Sequence, residues 1–176
     1  IAGGDIARAR RSLEDLVERS DGPVERAESL AGLAHLLLVQ AEWAESRRLY
    51  EEAATLVDDD ARRRIPIELG LAGVAYVTWQ DRPGGAIHAA EALRLAEALG
   101  DPPVLFPTLG HAASWRGVTG DDWRALMDRA DDFDVQVRDI PGIEHPDMQF
   151  ARLLRDAGEF LEAERRLQRL VDRARE

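Results

Sequence analysis

The chain has 176 residues, enough for one sizeable core or a continuous stack of about four to five helical units. Its 34 acids against 23 bases give a formal charge of −11, and an acidic surface repels the phosphate backbone, so nucleic-acid binding by this segment is not expected. Cysteine is absent, which excludes a disulfide framework and any thiolate metal site and fits a reducing cytoplasm.

Apolar residues recur at helical spacing from end to end, and no stretch alternates apolar and polar residues as a half-buried strand does. The fold class predicted is therefore all-α. Nine helices are expected at roughly 5–20, 23–39, 42–57, 62–79, 84–99, 103–117, 121–132, 146–156 and 159–175. Their limits follow the stop and start chemistry of Ser20-Asp21-Gly22-Pro23, Asp58-Asp59-Asp60, Asp81-Arg82-Pro83-Gly84, Leu99-Gly100-Asp101-Pro102 and Val118-Thr119-Gly120-Asp121. The connection from Phe133 to His145 is longer than the others, holds Pro141-Gly142 and His145-Pro146, and is read as a mobile or functional loop.

The helices pair into a repeat. Gly4-Asp5, Ala41-Glu42-Trp43, Gln80-Asp81-Arg82, Gly120-Asp121-Asp122 and Gly158-Glu159-Phe160 superpose at intervals of 37 to 40 residues. Five, nine and twelve residues beyond each turn stand small or apolar side chains: Ala9, Leu13, Leu16; Ser46, Tyr50, Ala53; Gly85, Ala89, Ala92; and Ala163, Leu167, Leu170. The fourth repeat departs, with Ala125 followed by Arg129 and Asp132. A period of this length means stacked units, none of which buries its apolar face alone. The first helices share a second pattern, Leu69, Ala72, Gly73 and Tyr76, matched by Leu30, Leu33, Ala34 and Leu37 one repeat earlier and by Leu109, Ala112 and Ala113 one repeat later. Small residues there, and Ala9, Ser46, Gly85, Ala125 and Ala163 on the second helices, would let the two helices of a hairpin approach closely.

This spacing resembles the tetratricopeptide signature, and the resemblance implies a right-handed superhelix of helix hairpins over residues 1–176 as a single repeat domain. The last repeat, Asp147 to Ala163, is similar to the helical-repeat region of large ATP-binding LuxR-type (MalT-like) transcriptional regulators of high-GC bacteria. The use of arginine for every base and the lack of lysine and asparagine agree with a GC-rich genome. That resemblance implies an interaction or inducer-sensing module lying between a nucleotide-binding module and a helix-turn-helix. The chain has no phosphate-loop motif and no basic recognition helix, so ATP and DNA binding are expected of a parent chain only. A start at Ile1, inside a repeat, is read as the start of a piece of a longer protein, and the unpaired first helix would leave Leu13 and Leu16 poorly covered.

In a tetratricopeptide array the first helices line the concave face, and the alignment sends His35, Leu38, Val39, Val74, Val77, Thr78, Ser114 and Val118 towards it. The functional reading is a groove for an apolar peptide segment or small inducer; the competing one is plain burial, the usual fate of apolar residues at helical spacing. Only Arg152 and Arg155 would add charge to the groove, so a carboxylate clamp for chaperone tails is not expected. His35, His88, His111 and His145 lack paired spacing, so no metal is expected, and no nucleophile elbow or distinct carboxylate pair points to catalysis. Trp43, Trp79, Trp115 and Trp123 are read as packing between helices or capping the stack. No apolar run approaches the roughly 18–20 residues that span a bilayer. The expected protein is thus a cytoplasmic, non-catalytic module without cofactor or membrane contact, binding a protein, a peptide or a small inducer. The alternative is a stand-alone scaffold joining protein partners.

Overall fold

Helix ends in this chain are set by local chemistry that the structure displays directly. In the computed structural model, which describes residues 3–57, 60–133, 145–173 and 175, the Asp60 carboxylate accepts the backbone N–H of Arg62 at 3.0 Å and caps the helix that follows. Pro23, Pro102 and Pro146 each open a helix, where the missing N–H costs nothing. Among the described residues there are nine helices and no strand: α1 (Gly3–Arg19), α2 (Pro23–Val39), α3 (Trp43–Leu56), α4 (Ala61–Thr78), α5 (Arg82–Leu99), α6 (Pro102–Thr119), α7 (Arg124–Asp131), α8 (Pro146–Asp156) and α9 (Phe160–Arg173). The expected functional loop cannot be placed, because residues 134–144 lie outside those described.

Within hairpins the chain reverses through left-handed backbone. Gly120 (φ 84°) and Gly158 (φ 83°) adopt it without a Cβ penalty, whereas Ala41 (φ 63°) and Trp79 (φ 56°) adopt it against the ordinary preference of L-residues.

The chain divides into two compact units, Ile1–Leu95 and Ala96–Glu176, the division falling within α5. In the first unit Ala27, Leu30, Ala34 and Leu37 of α2 follow helical spacing and form one core with Leu49, Tyr50 and Ala53 of α3 and Ile67, Leu71 and Val74 of α4. Each large side chain buried this way contributes about 1.5–3 kcal/mol. Ser46, at a predicted small-contact position, does more than yield space: it is fully buried and its hydroxyl donates to the Ala34 carbonyl at 2.7 Å, bonding α3 to α2.

The repeat is visible in which large residue meets which glycine. A Cβ added at Gly32 of α2 would come within 3.2 Å of Leu13 of α1, and one added at Gly70 of α4 would fall inside the ring of Tyr50 of α3. Leu13 and Tyr50 hold the same place in the repeat. The glycines they meet are one residue out of register, and the fit is tight in α4, where Gly70 alone leaves room for the Tyr50 ring, and looser in α2, where Leu13 stands off Gly32.

α4 and α5 are also joined through charge. Glu68 is 2% exposed, accepts from Arg64 Nε at 2.6 Å and lies 2.6 Å from His88 Nδ1. Burial works to raise its carboxyl, but the hydrogen bonds to His88 and Arg64 outweigh it and hold Glu68 below the usual carboxylate range.

In the second unit α6 packs on α7 and α8, and α8 on α9. A Cβ at Gly110 would come within 2.8 Å of the Pro146 backbone, and one at Gly117 would meet Leu153, so α6 and α8 also approach through glycines. Arg166 of α9, 2% exposed, ties three helices together: its guanidinium donates to Asp131 Oδ1 and Oδ2 of α7 at 3.0 and 2.5 Å and to Asp147 Oδ1 of α8 at 2.7 Å. It also lies 5.3 Å from the ring centre of Phe150.

The predicted small-contact positions divide by helix. Ser46, Gly85 and Ala163 are buried as expected, but Ala9 and Ala125 are exposed. For α7 the reason is local. Helix α9 begins two residues beyond its left-handed glycine, whereas α7 begins four residues beyond Gly120, so the buried positions move on to Leu126, Met127 and Ala130. In α1, Leu16 is 54% exposed and Leu13 packs partly against the core.

Candidate functional site

The residues expected on a concave face separate into three groups. In the first unit α2 packs directly against α4, which brings the two first helices side by side. Val39 is 70% exposed, Val77 is 42% exposed and His35 is also exposed, so these three present side chains to solvent. Val39 is the last residue of α2 and Val77 the last but one of α4. Leu38 is half-buried because it covers Gly73, where an added Cβ would come within 3.3 Å. Thr78 is half-buried and its hydroxyl donates to the Val74 carbonyl at 2.8 Å, so the donor is used within its own helix.

Val74 does not belong to this surface. It is 1% exposed and part of the core with Leu30, Tyr50 and Ile67, so the burial reading holds there. In the second unit Ser114 is likewise buried, its hydroxyl donating to the Gly110 carbonyl at 3.0 Å, and Val118 is half-buried. The physical reason is angular: successive residues on a helix turn by about 100°, so a stripe wide enough to include Val74, Val77 and Thr78 runs from the core to solvent.

The exposed aromatics extend the first unit's surface in a way the repeat pattern did not indicate. Trp115 is buried as expected, but Trp43 is 40% and Trp79 51% exposed. Trp79 stands at the left-handed end of α4 with Tyr76 at 5.7 Å between ring centres, and the Arg82 guanidinium lies 4.5 Å over its ring. Trp123 is half-buried and carries the Arg124 guanidinium at 4.5 Å.

A concavity lies in the last hairpin. Between α8 and α9 runs an open groove of about 620 Å³ whose floor is Ala151 and Ala163 and whose walls include Met148, Phe160, Leu167 and Val171. Arg152 and Arg155, expected on the concave face of an array, line the α8 edge of this different groove, with Glu164 and Gln168 on the α9 edge. The sequence pattern had treated Leu167 as a packing residue of the repeat. It is 41% exposed, whereas the equivalent Tyr50 is 2% exposed.

The buried hydroxyls and carboxylates serve the helices themselves or their packing. Ser46, Thr78, Thr108 and Ser114 donate to backbone carbonyls, and Glu68, Asp131 and Asp147 pair with cations. Among the described residues no group of three or more potential ligands converges as a metal site would require, and no helix is long and apolar enough to cross a membrane. His88 pairs with Glu68, and the His145 ring nitrogen Nδ1 accepts from the Asp147 N–H at 3.2 Å while its ring meets Phe106 edge-on at 5.2 Å. Both imidazoles thus have partners that orient them within the packing. No protein-family model and no curated protein matches the chain.

Proposed function

We propose that this chain is a non-catalytic interaction or inducer-sensing module of a LuxR-type transcriptional regulator, built as a tetratricopeptide-like array, and that it acts in the cytoplasm. The observation that carries the reading is the pair Val39 and Val77, apolar, solvent-facing and close to the C-terminal ends of adjacent first helices, with the exposed His35 one turn before Val39. Exposed apolar residues on neighbouring first helices form a surface that an extended apolar segment or a small inducer can follow from one repeat to the next. Occupancy would act on the regulator only by favouring one arrangement of the array over another.

The complete open reading frame tests the regulator part. A phosphate loop before this segment and a helix-turn-helix after it support the reading, and a frame with neither discards it in favour of a scaffold. The surface is tested by Val39→Glu combined with Val77→Glu in that full-length protein. The double variant should retain its helical circular dichroism and lose the inducer-dependent transcription of a reporter. A folded double variant that still responds removes the α2–α4 surface from the proposal.

A further inference from the structure

A buried acid of a first helix meets a cation of the following second helix at two places in this chain. Arg166 stands eight residues beyond Gly158 and His88 eight residues beyond Gln80, the same place in the repeat. Their partners Asp147 and Glu68 lie 11 and 12 residues before those turns, one residue apart in register. Asp147 meets Arg166 at 2.7 Å, and Glu68 meets His88 at 2.6 Å. Both carboxylates are sealed, with 8% and 3% of their side-chain surface exposed. The two contacts differ in the cation. Arginine keeps its charge at any pH a protein meets, whereas an imidazole changes charge between about pH 5 and 8.

The surroundings of His88 leave Glu68 as its counter-ion. Among the described residues Glu68 is the one ion-pair partner of His88. On α4, Arg64 holds the other Glu68 oxygen at 2.6 Å and donates to the Ala54 carbonyl of α3 at 3.3 Å, while Arg63 is turned to Glu28 of α2 at 2.8 Å. On α5, Glu91 is taken by Arg94 at 2.7 Å. The His88 side chain is 35% exposed, so protons reach it without unfolding. Burial works to raise the Glu68 carboxyl, but its bonds hold it below the usual carboxylate range, and it stays ionised where imidazoles titrate.

We propose that Glu68 and His88 form a pH-dependent clasp between α4 and α5, tight when His88 is protonated and slackened when it is neutral. The protonated ring gives the sealed carboxylate a second full positive charge beside Arg64, and charge-assisted hydrogen bonds are roughly twice as strong as neutral ones. The neutral ring still donates from Nδ1 but brings no charge. The clasp therefore contributes most between the carboxylate and histidine ranges. It weakens on the acid side as Glu68 is protonated and on the alkaline side as His88 loses its proton. The equivalent Asp147–Arg166 contact has no such alkaline limb.

A double-mutant cycle on the full 176-residue chain tests it, with thermal melts of the parent chain, His88→Gln, Glu68→Gln and the double variant. The coupling between the two positions should raise the melting midpoint by about 2–4 °C more at about pH 5.5 than at about pH 8. His35, His111 and His145 are common to all four chains, so their own titration cancels. His88→Arg installs the cation of the α8–α9 contact, and its midpoint should gain on the parent's as pH rises. If Glu68→Gln does not fold, His88→Arg and His88→Gln compared with the parent at both pH values decide the matter. Equal coupling at the two pH values overturns the proposal. So does a difference between His88→Arg and the parent that stays the same from about pH 5.5 to about pH 8.

Discussion

The α2–α3 and α8–α9 hairpins start from the same pattern and end in different states. In the first, Tyr50 fills the space that Gly70 leaves on α4, and the hairpin is roofed by a helix from its own unit. In the second, Leu167 projects into an open groove. Each hairpin is instead secured by its own device. The first unit uses apolar packing around α2, with the Arg64–Glu68–His88 cluster joining α4 to α5. The second joins α7, α8 and α9 through one buried arginine. Where the next helix roofs a hairpin, hydrophobic contact closes it; where none does, charge pairing on the covered side holds it together.

The largest effect should come from breaking the second device. Arg166→Met leaves Asp147 with only Arg169, at 3.4 Å, and the half-exposed Asp131 without its cation; removing one partner of a buried pair costs about 3–5 kcal/mol, and with these two reliefs the lower end is expected. Hydrogen exchange should accelerate in α8 and α9 while α2 and α3 keep their protection. Equal acceleration in both hairpins would show that the two regions are not held separately.

A smaller effect separates the roofed face from the open one. Gly70→Ala drives a methyl into the Tyr50 ring and should cost about 1–3 kcal/mol by urea denaturation. Leu167→Tyr places the same aromatic at the equivalent position of the open groove and should change the stability of the chain by no more than about 0.5 kcal/mol. A comparable cost at both sites would mean that the α8–α9 groove is as closely packed as the α3–α4 contact.

The smallest effect concerns the turns. Gly158→Ala forces a Cβ into left-handed backbone and should destabilise by about 1 kcal/mol, whereas Ala41→Gly relieves the same strain and should raise stability by up to about that amount. Opposite signs in thermal melts confirm that the two turns share a geometry despite their different residues. A fall in stability for Ala41→Gly would assign the Ala41 turn to some compensating contact.

How much of this was legible in the sequence can be judged residue by residue. Helix α2 was expected at 23–39 and is found at Pro23–Val39, and α8 was expected at 146–156 and is found at Pro146–Asp156. Proline, glycine and aspartate act on their own backbone and its nearest neighbours, so such limits need no tertiary information. The shift in α7 showed in the sequence only as a departure, Arg129 and Asp132 at positions that are apolar elsewhere; its direction depends on where the helix starts after its turn, and the Gly120-Asp121-Asp122 spacing looks the same as its equivalents. Of the candidate surface, His35, Val39 and Val77 face solvent, and Val74 and Ser114 do not. One helical turn separates Val74 from Val77, and the direction of the neighbouring α3 decides which of them is core.

Local chemistry and the period of 37 to 40 residues, both written in the sequence, determined the helices, their pairing and the small contacts at Ser46, Gly85 and Ala163. Tertiary structure alone decided that Glu68 and His88 meet, that Arg166 gathers two aspartates, and that Leu167 lies in an open groove while Tyr50 is sealed. The division has a physical cause. Helix propensity and capping are summed over neighbours along the chain, but burial and ion pairing depend on which helix comes to lie across from each side chain.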